Sequence, residues 1–483
     1  MPASDPDAVE NVVLILTDQQ RPDSLGCYGN EWVATPTLDR LAAAGTRFDR
    51  AYTPTALCSP ARASLLTGVR PHRHGLTRNV SGDVDLAARW PCYPQRLREA
   101  GYRVGLSGKL HVGQDPRRVG FHGPSHEGYF YSPDHPDYEA YLAERDLPSM
   151  TVDRLRDAFP AGGARFQSGA VDDRPPEAAV TRYVADRAIE QIDAAVDAGD
   201  PFYQSVHFFG PHNPYYLPEE YLRLYDPADV EIPASAIKET FADKPWVHRA
   251  QARMSGLHDL PVEAWRRLIA AYHGWVTFID DQVGRILDAL ADRGVTDSTA
   301  VVFTSDHGAF LTRHKLHDKG PAMYEDVYRV PLLAAGLGLD ESDDRFVSLL
   351  DLPPTVLDLA GVDIPSAYDG QSLLDAGDWR RAITGEFHGH FFGYEQRMLR
   401  TDRYKLVVNA YDTDECYDLE ADPDELTNLV GDPAHGAEVA ALYDELRDRL
   451  AARGDDFFAG PTGPGERWKL STTTSAGLDP YDP

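Results

Sequence analysis

A cysteine, a proline and an arginine stand close together in "TPTALCSPARASLLTG", residues 53–68. Ser59 and Pro60 favour the start of a helix, which places Cys58 at the helix N-terminus, where unpaired backbone N–H groups attract anions. Arg62 follows four residues later on the same helical face. A cysteine taken alone is most often a buried structural residue. This spacing nevertheless predicts a nucleophile, an anion-binding helix end and a cation at one point.

Two pairs of polar residues directly follow short apolar runs. Asp18 and Gln19 come after "NVVLILT", and Asp306 and His307 end the run "FTSDHG". A single such pair is usually a cap or a turn. Two such pairs, each directly after a predicted buried strand, are less readily explained as caps or turns, because ligands bind at the carboxyl ends of parallel strands. Two carboxylates, an amide oxygen and an imidazole therefore predict a divalent cation site.

Further cationic and imidazole groups follow the other strand-like runs. Lys109 and His111 alternate at the end of "GYRVGLSGKLH" and so point to one face. His212 lies in "GPHNPYYLP" and Lys319 in "HKLHDKGPAMYEDVYRVP". Each alone is most often a solvated surface group. Together with Arg62 and a metal ion they predict a pocket for a tetrahedral anion, with acid–base groups at hand.

These residues need a scaffold that brings strand ends together. Apolar runs predict buried strands at residues 11–18, 101–111, 201–212 and 298–308. Amphipathic helical segments separate them, and this alternation is typical of a doubly wound α/β sandwich with a large, mostly parallel central sheet.

Changes in residue composition along the chain also predict a division into a catalytic domain, a C-terminal subdomain and a tail. Residues 1–375 are predicted to form the catalytic domain, within which 115–173, rich in Gly, Pro, Asp and aromatic residues, forms an insertion or lid. Residues 376–460 are predicted to form a small C-terminal α+β subdomain with an antiparallel sheet. Residues 461–483 are predicted to form a tail. The segment 385–396, "GEFHGHFFGYEQ", is expected at the pocket mouth together with the lid.

Composition excludes several classes of partner. The 483 residues are 42% hydrophobic and carry a formal net charge of -30, so neither nucleic acid nor an anionic membrane is an expected partner. The four cysteines are scattered and form no CxxC pair, which argues against a disulfide framework. Neither a signal peptide nor a transmembrane run is evident, so a cytoplasmic location is expected. The acidic bias fits a salt-adapted or a high-GC host.

The segment "CSPAR" followed by "LLTG" resembles the Cys-x-Pro-x-Arg signature of the type I sulfatases, in the alkaline phosphatase superfamily. The resemblance spans nearly the whole chain and includes "LILTDQQRPDSLGCYGN", "TGVRPHRHGL", "FTSDHG" and "CYDLEADPDELTNLV". It implies that a maturation enzyme, which recognises Pro60 and Arg62, oxidises Cys58 to formylglycine. It also implies hydrolysis of a small-molecule or saccharide sulfate ester to an alcohol and inorganic sulfate.

The resemblance assigns roles to the other residues. A hydroxyl of the hydrated formylglycine attacks sulfur in line, and the second hydroxyl allows sulfate to be expelled afterwards. Arg62 would steady the formylglycine, and His111 would orient or deprotonate its hydroxyl. Lys109 and Lys319 would bind sulfate oxygens. His212 would bind the substrate and protonate the leaving alkoxide, with or without help from Lys319.

The implied metal set departs from the common arylsulfatase pattern, which has paired Asp and then Asp-Asn and typically holds Ca²⁺. The set here is Asp18, Gln19, Cys58, Asp306 and His307. An amide and an imidazole lower the ligand charge, so Mn²⁺ or Mg²⁺ are alternatives to Ca²⁺.

The Asp-Gln with Asp-His combination is similar to the subgroup of choline sulfatases and phosphonate monoester hydrolases. Asn79 also resembles a substrate-contacting Asn of the phosphonate hydrolases, whereas the Lys109-x-His111 pair is the sulfatase arrangement. Sulfate ester hydrolysis is therefore the leading hypothesis. A phosphonate monoester or phosphodiester hydrolase with the same nucleophile is the first alternative. A metal-stabilised binding protein whose Cys58 is never converted is the second.

Overall fold

The computed structural model describes residues 9–79, 84–122, 135–158, 169–390 and 393–459. The predicted tail and parts of the predicted lid lie outside these ranges. The strands are β1 (Asn11–Thr17), β2 (Thr46–Phe48), β3 (Ala51–Tyr52), β4 (Arg103–Gly108), β5 (Ala170–Asp172), β6 (Phe202–His207), β7 (Tyr216–Pro218), β8 (Thr299–Ser305), β9 (Leu332–Ala335), β10 (Ser342–Asp343), β11 (Val347–Ser348), β12 (Ile383–Phe387), β13 (Gln396–Arg400), β14 (Tyr404–Asn409) and β15 (Glu415–Asp418).

Helices of very different length connect these strands. They are α1 (Pro36–Ala43), α2 (Cys58–Thr67), α3 (Pro71–His74), α4 (Leu86–Arg89), α5 (Tyr93–Glu99), α6 (Pro136–Glu144), α7 (Val152–Ala158), α8 (Val180–Ala198), α9 (Glu219–Leu222), α10 (Ala234–Lys238), α11 (Trp246–Ser255), α12 (Val262–Asp292), α13 (Glu325–Tyr328), α14 (Leu352–Leu359) and α15 (Gly436–Ala452). None of the helices in these ranges combines the length and the apolar composition needed to cross a bilayer.

A mostly parallel sheet forms the centre of the molecule, with the strand order β10-β2-β9-β8-β1-β6-β4. The strands β8, β1, β6 and β4 are parallel neighbours, and they are the four strands predicted from apolar runs. Strand β9 is antiparallel to both β8 and β2. The short strands toward that edge carry too few residues to show a pattern in the sequence.

Both faces of this sheet are covered, which is why β1 is apolar without alternation. Val13 and Ile15 belong to the core that includes residues of α8 and α12, while Leu14 belongs to the core that includes residues of α2, α5 and α14. The doubly wound α/β architecture predicted from the sequence is thereby confirmed. The predicted lid contributes β5, which pairs with β7 in a separate small sheet and not with the central one.

A second, antiparallel sheet with the order β12-β13-β14-β15 forms the C-terminal part. Helix α15 covers one face, where Leu406 packs in a cluster with Leu446. On the other face Met398 and Val407 share a cluster with Tyr328. The predicted antiparallel C-terminal subdomain is therefore present, and this second cluster joins it to the part of the molecule that carries the central sheet.

Candidate active site

The predicted site residues converge at the carboxyl edge of the central sheet. Asp18 follows β1, Asp306 follows β8, Lys109 follows β4, and His212 lies five residues after β6. Backbone hydrogen bonds extend the pairing past the strands, because Asp306 N donates to Thr17 O at 3.1 Å. All eleven residues singled out in the sequence belong to one connected cluster around Cys58. They are Asp18, Gln19, Cys58, Arg62, Asn79, Lys109, His111, His212, Asp306, His307 and Lys319.

Cys58 is the first residue of α2 and is buried. Ser59 was expected at the start of this helix, but the helix begins one residue earlier: Leu57 precedes it in extended conformation and makes no side-chain capping bond. Ser59 lies inside the first turn, and its N–H donates to Asn79 Oδ1 at 3.1 Å. Asn79 thus takes the place of a capping side chain, and it lies directly beside the nucleophile position.

Four side chains around Cys58 offer a group of possible metal ligands. One ligand atom from each of Asp18, Cys58, Asp306 and His307 lies within 4.8 Å of the others, and all four residues are buried. Cys58 Sγ is 3.2 Å from His307 Nε2 and 3.6 Å from Asp18 Oδ1. Two carboxylates, an imidazole and the side chain of residue 58 form a donor set that fits a divalent cation.

Gln19 lies in a strained turn next to this group. Its φ of 69° is in the left-handed region, which non-glycine residues rarely adopt. The backbone is held there because Gln19 N donates to Asp306 Oδ1 at 3.1 Å and Tyr272 OH donates to Gln19 O at 3.0 Å. Its carboxamide oxygen accepts from Lys319 Nζ at 3.1 Å, so Gln19 connects the metal-ligand group to Lys319.

Arg62 and Lys109 lie behind the carboxylates. The side chain of Arg62 is 1% exposed, and its Nε donates to Asp306 Oδ2 at 2.8 Å. Its Nη2 is 3.4 Å from Asp18 Oδ2, which also accepts from Lys109 Nζ. In this arrangement Arg62 neutralises and orients the two carboxylates, and its Nη1 also donates to Lys109 O.

Lys319, which contacts the Gln19 carboxamide, also forms a pair with His212. Lys319 Nζ lies 2.5 Å from His212 Nε2 and 3.0 Å from an Asp318 carboxylate oxygen. His212 Nδ1 donates to Asn213 O at 2.5 Å, since a carbonyl can only accept. Its Nε2 is then the acceptor for the Lys319 ammonium group. Lys319 Nζ therefore donates a hydrogen bond to His212 Nε2 and lies in an ion pair with Asp318.

The charges around Cys58 favour a negative group at that position. Burial raises the pKa of the Cys58 thiol, but the cations Lys109 and Lys319 outweigh burial and bring this pKa well below its usual value. His111 donates a hydrogen bond to Cys58, while burial keeps the pKa of His111 below its usual value. Burial also lowers the pKa of His307, but nearby anionic groups outweigh it and raise this pKa to about 9.

Several residues that complete the site were not singled out from the sequence. Asp318 binds Lys319, and although burial opposes it, Lys319 lowers the pKa of Asp318 to about 2. His207 Nδ1 lies 3.1 Å from Lys109 O and Tyr272 holds the Gln19 turn. Asp318 and His207 carried a signal, because the first adjoins Lys319 and the second lies within the strand predicted at residues 201–212. Tyr272 lies inside the long helix α12, where no local pattern distinguishes it.

Comparison with known proteins is consistent with this geometry. The family profile "Sulfatase" matches residues 10–362, and the profile "N-sulphoglucosamine sulphohydrolase, C-terminal" matches residues 312–452. The "Uncharacterized sulfatase YidJ" of Escherichia coli (strain K12) is 32% identical over 464 residues, covering 92% of this chain and 88% of that protein. The chain belongs to the sulfatase family. It is thus a sulfuric ester hydrolase of the alkaline phosphatase superfamily.

Other relatives of this sulfatase cover nearly the whole chain. The "Arylsulfatase" of Clostridium perfringens is 29% identical, with 93% of this chain and 96% of the relative covered. The crystal structure of the phosphonate monoester hydrolase of Agrobacterium radiobacter matches with a TM-score of 0.78 and 26% identity, covering 92% of this chain and 95% of that one. Over most of its length, this sulfatase is therefore similar both to an arylsulfatase and to a phosphonate monoester hydrolase.

Proposed function

We propose that formylglycine made from Cys58 is the nucleophile with which this sulfatase hydrolyses a sulfate monoester. One hydroxyl of the hydrated aldehyde attacks sulfur, and the ester oxygen leaves with the electrons of the broken S–O bond. The second hydroxyl then loses its proton, the aldehyde reforms, and inorganic sulfate departs. The observation that carries the proposal is the convergence of metal-ligating, cationic and imidazole groups on the buried N-terminus of α2.

A divalent cation would be held by Asp18, Asp306 and His307 together with the side chain of residue 58, and Gln19 completes the predicted set. When bound, such an ion lowers the pKa of a hydroxyl and screens the charge of the sulfate. Mg²⁺ and Mn²⁺ are proposed beside Ca²⁺, because one imidazole replaces an oxygen ligand. We expect a chelator to abolish turnover and one of these ions to restore it, as measured with an aryl sulfate.

The remaining groups are proposed to bind the ester and to move protons. Lys109 and Lys319 supply positive charge for the sulfate oxygens, and His111 takes the proton from the attacking hydroxyl. The Lys319–His212 pair supplies the proton of the leaving alkoxide: Lys319 Nζ donates a proton to His212 Nε2 across the 2.5 Å contact between them, and His212 passes it to the alkoxide. Asn79 is proposed to contact the substrate, because its side chain lies at the N-terminus of α2.

The partners of the reaction follow from the same proposal. The substrate is a small-molecule or saccharide sulfate ester, and a separate formylglycine-generating enzyme must act on Cys58 before the chain folds around it, since Cys58 is only 1% exposed. The cytoplasmic location remains an expectation from the sequence alone.

The second candidate is hydrolysis of a phosphonate monoester or a phosphodiester by the same nucleophile. The structural similarity to a phosphonate monoester hydrolase and the position of Asn79 favour it. Sulfate monoesters and phosphonate monoesters both carry one negative charge, so pocket charge does not separate them.

A sulfate ester and a phosphonate ester with the same 4-nitrophenol leaving group test which of the two ester classes is preferred. We expect 4-nitrophenyl sulfate to be hydrolysed with a higher kcat/KM than 4-nitrophenyl phenylphosphonate by the same converted preparation. A higher kcat/KM for the phosphonate would make it the preferred substrate class. An Asn79→Ala variant, measured on both esters, shows whether Asn79 discriminates between them.

A further inference from the structure

The loop that carries Lys319 has a strained backbone. It comprises residues 310–319, and we call it the Lys319 loop. Phe310 N donates to Asp318 O at 3.0 Å, so the loop folds back on itself. Five of its residues have φ angles between 44° and 77°, a region that non-glycine residues rarely adopt: Leu311, Thr312, His314, Lys315 and Asp318. Such a backbone persists only where surrounding contacts hold it.

Glu239, the residue after α10, holds this loop through a buried pair with His314. His314 Nδ1 donates to Glu239 Oε2 at 2.9 Å, and the two side chains are 1% and 2% exposed. The other carboxylate oxygen accepts from Phe241 N at 2.6 Å, and Glu239 O accepts from Lys315 Nζ at 2.5 Å. Burial raises the pKa of Glu239, but the hydrogen bond from His314 outweighs it and lowers this pKa. Both oxygens of the carboxylate therefore act as acceptors.

Two further contacts limit movement of the Lys319 loop. The imidazole ring of His314 stacks on the ring of Tyr324, with centroids 3.7 Å apart and an interplanar angle of 6°. Gln251 of α11 is buried, and its Nε2 donates to Lys319 O at 2.9 Å. The ring of His314 is thus held in one orientation, and the backbone of Lys319 is fixed against α11.

The same loop contacts both members of the Lys319–His212 pair. Lys319 supplies the Nζ atom that lies 2.5 Å from His212 Nε2. Two residues earlier in the loop, His317 Nε2 accepts from Asn213 Nδ2 at 3.1 Å, since an amide nitrogen can only donate. Asn213 O in turn accepts from His212 Nδ1 at 2.5 Å and orients that ring. A shift of the loop would therefore displace the lysine and loosen the residue that orients His212.

We propose that Glu239 and His314 are positioning residues for proton transfer: their buried pair fixes the Lys319 loop and so keeps Lys319 Nζ within hydrogen-bond distance of His212 Nε2. The inference rests on the proposed function, in which the Lys319–His212 pair supplies the proton of the leaving alkoxide. A displaced Lys319 weakens this protonation, so the loss of rate is largest for esters whose leaving alkoxide is most basic.

Two aryl sulfates that differ in the basicity of the leaving group test the inference. 4-Nitrophenolate leaves readily as an anion, whereas phenolate is more basic and depends more on a proton donor. The measured quantity is the ratio of kcat/KM for 4-nitrophenyl sulfate to kcat/KM for phenyl sulfate. A change in sulfate binding that is common to both esters cancels in this ratio.

Glu239→Gln is the first variant. It converts one acceptor oxygen into an NH₂ group, so one of the hydrogen bonds from His314 and Phe241 is lost. We expect the ratio to rise about tenfold, which is a part of the roughly 10²–10⁴-fold acceleration that a general acid contributes. An unchanged ratio in folded Glu239→Gln would contradict the inference.

The matched control is Glu386→Gln. Glu386 is also buried and accepts from a histidine, His72 Nδ1, at 2.8 Å, but it lies in β12. We expect this control to lose unfolding free energy, as measured by urea titration, and to keep the wild-type ratio. An equal rise in the ratio for both variants would show that the ratio reports lost stability, and the positioning role would be rejected.

Two variants of His314 decide the question if Glu239→Gln does not fold. His314→Ala removes the donor to Glu239, and we expect it to raise the ratio by about as much as Glu239→Gln. His314→Asn keeps an N–H donor, and asparagine tolerates the φ of 50° at this position better than most residues. We therefore expect His314→Asn to keep a ratio near that of wild type. Equal ratios for the Ala and Asn variants would refute a role for the hydrogen bond to Glu239.

Lys319→Met tests whether Glu239 acts through Lys319. We expect this variant to raise the ratio more than Glu239→Gln does, and the double variant to show no further rise. A further rise would overturn the inference, because Glu239 would then act by another route. Wild type that hydrolyses neither ester after confirmed conversion of Cys58 overturns the proposed function and this inference together. Wild-type turnover with an unchanged ratio in Glu239→Gln overturns this inference alone.

Discussion

Buried ion pairs, not exposed ones, define the active site at the scale of single residues. Arg62 and its partner Asp306 are each about 1% exposed, and Asp18 is fully buried. Two carboxylates this close repel each other unless cations share the site. Arg62 and Lys109 supply that positive charge to the Oδ2 atoms, while the Oδ1 atoms of Asp18 and Asp306 lie 3.8 and 3.7 Å from His307 Nε2. The arginine of the Cys-x-Pro-x-Arg motif is thus required by the folded protein itself.

Replacing Arg62 with methionine is expected to destabilise the protein strongly. Removing one partner of a buried ion pair leaves an uncompensated charge and costs about 3–5 kcal/mol of unfolding free energy. Arg223→Met is the matched control, since Arg223 is 71% exposed in its pair with Glu219 and is expected to cost less than about 1 kcal/mol. Both losses of unfolding free energy are measured by urea unfolding in the presence of a chelator, with protein in which Cys58 is still a cysteine. Equal, small losses for the two variants would contradict this account.

At the scale of elements, the central strands could be predicted and the connections between them could not. A parallel strand buried on both faces is a continuous apolar run, so β1, β4, β6 and β8 are visible in the sequence. Strands β2 and β10 have three residues and two residues, too few to show a period. Parallel topology then brings strand ends together, which is why the eleven site residues could be grouped.

Contacts made by loops and by the C-terminal sheet were beyond the reach of local patterns. The hydrogen bond from Lys319 to His212 spans 107 residues, and the hydrogen bond from His72 to Glu386 spans 314 residues. The segment 385–396 was expected at the pocket mouth; residues 391–392 of it lie outside the described residues, and the expectation stays a prediction. Nothing in the sequence indicated that Glu239 accepts from His314 of the Lys319 loop, because a buried Glu paired with His has no spacing of its own.

The turn before β15 carries a half-buried acid that makes stability depend on pH. Burial raises the pKa of Asp414 to about 7, although Asn409 N donates to it at 2.7 Å. The folded state therefore holds a proton that the unfolded state has lost, so stability falls as pH rises from about 4 to 7. We expect Asp414→Asn to gain unfolding free energy relative to wild type across this window, measured by urea titration at several pH values. A constant difference between the two proteins would contradict the assignment.

At the scale of the whole molecule, the charge of -30 is the dominant feature. Only seven of the 47 basic residues are lysines, and two of these, Lys109 and Lys319, are buried in the active site. The surface is therefore left with a large excess of carboxylates that repel each other. An anionic substrate must approach against this field, so the cationic groups deep in the site act at short range.

Added salt is expected to stabilise the protein. Mobile ions screen repulsion between surface carboxylates over about 10 Å at 0.1 M, which favours the compact state. A melting series in increasing NaCl should show a rising Tm, while the same series in uncharged sucrose at matched osmolality gives the contribution of solute exclusion alone. A Tm that is insensitive to NaCl would rule out the suggestion of a salt-adapted protein.

The mass of the tryptic peptide 51–62, "AYTPTALCSPAR", from protein made in its own host tests the central claim most directly. The account predicts that the thiol of Cys58 is replaced by an aldehyde in preparations that hydrolyse an aryl sulfate, and that turnover scales with the converted fraction. A fully intact thiol in protein that hydrolyses the ester would contradict formylglycine as the nucleophile.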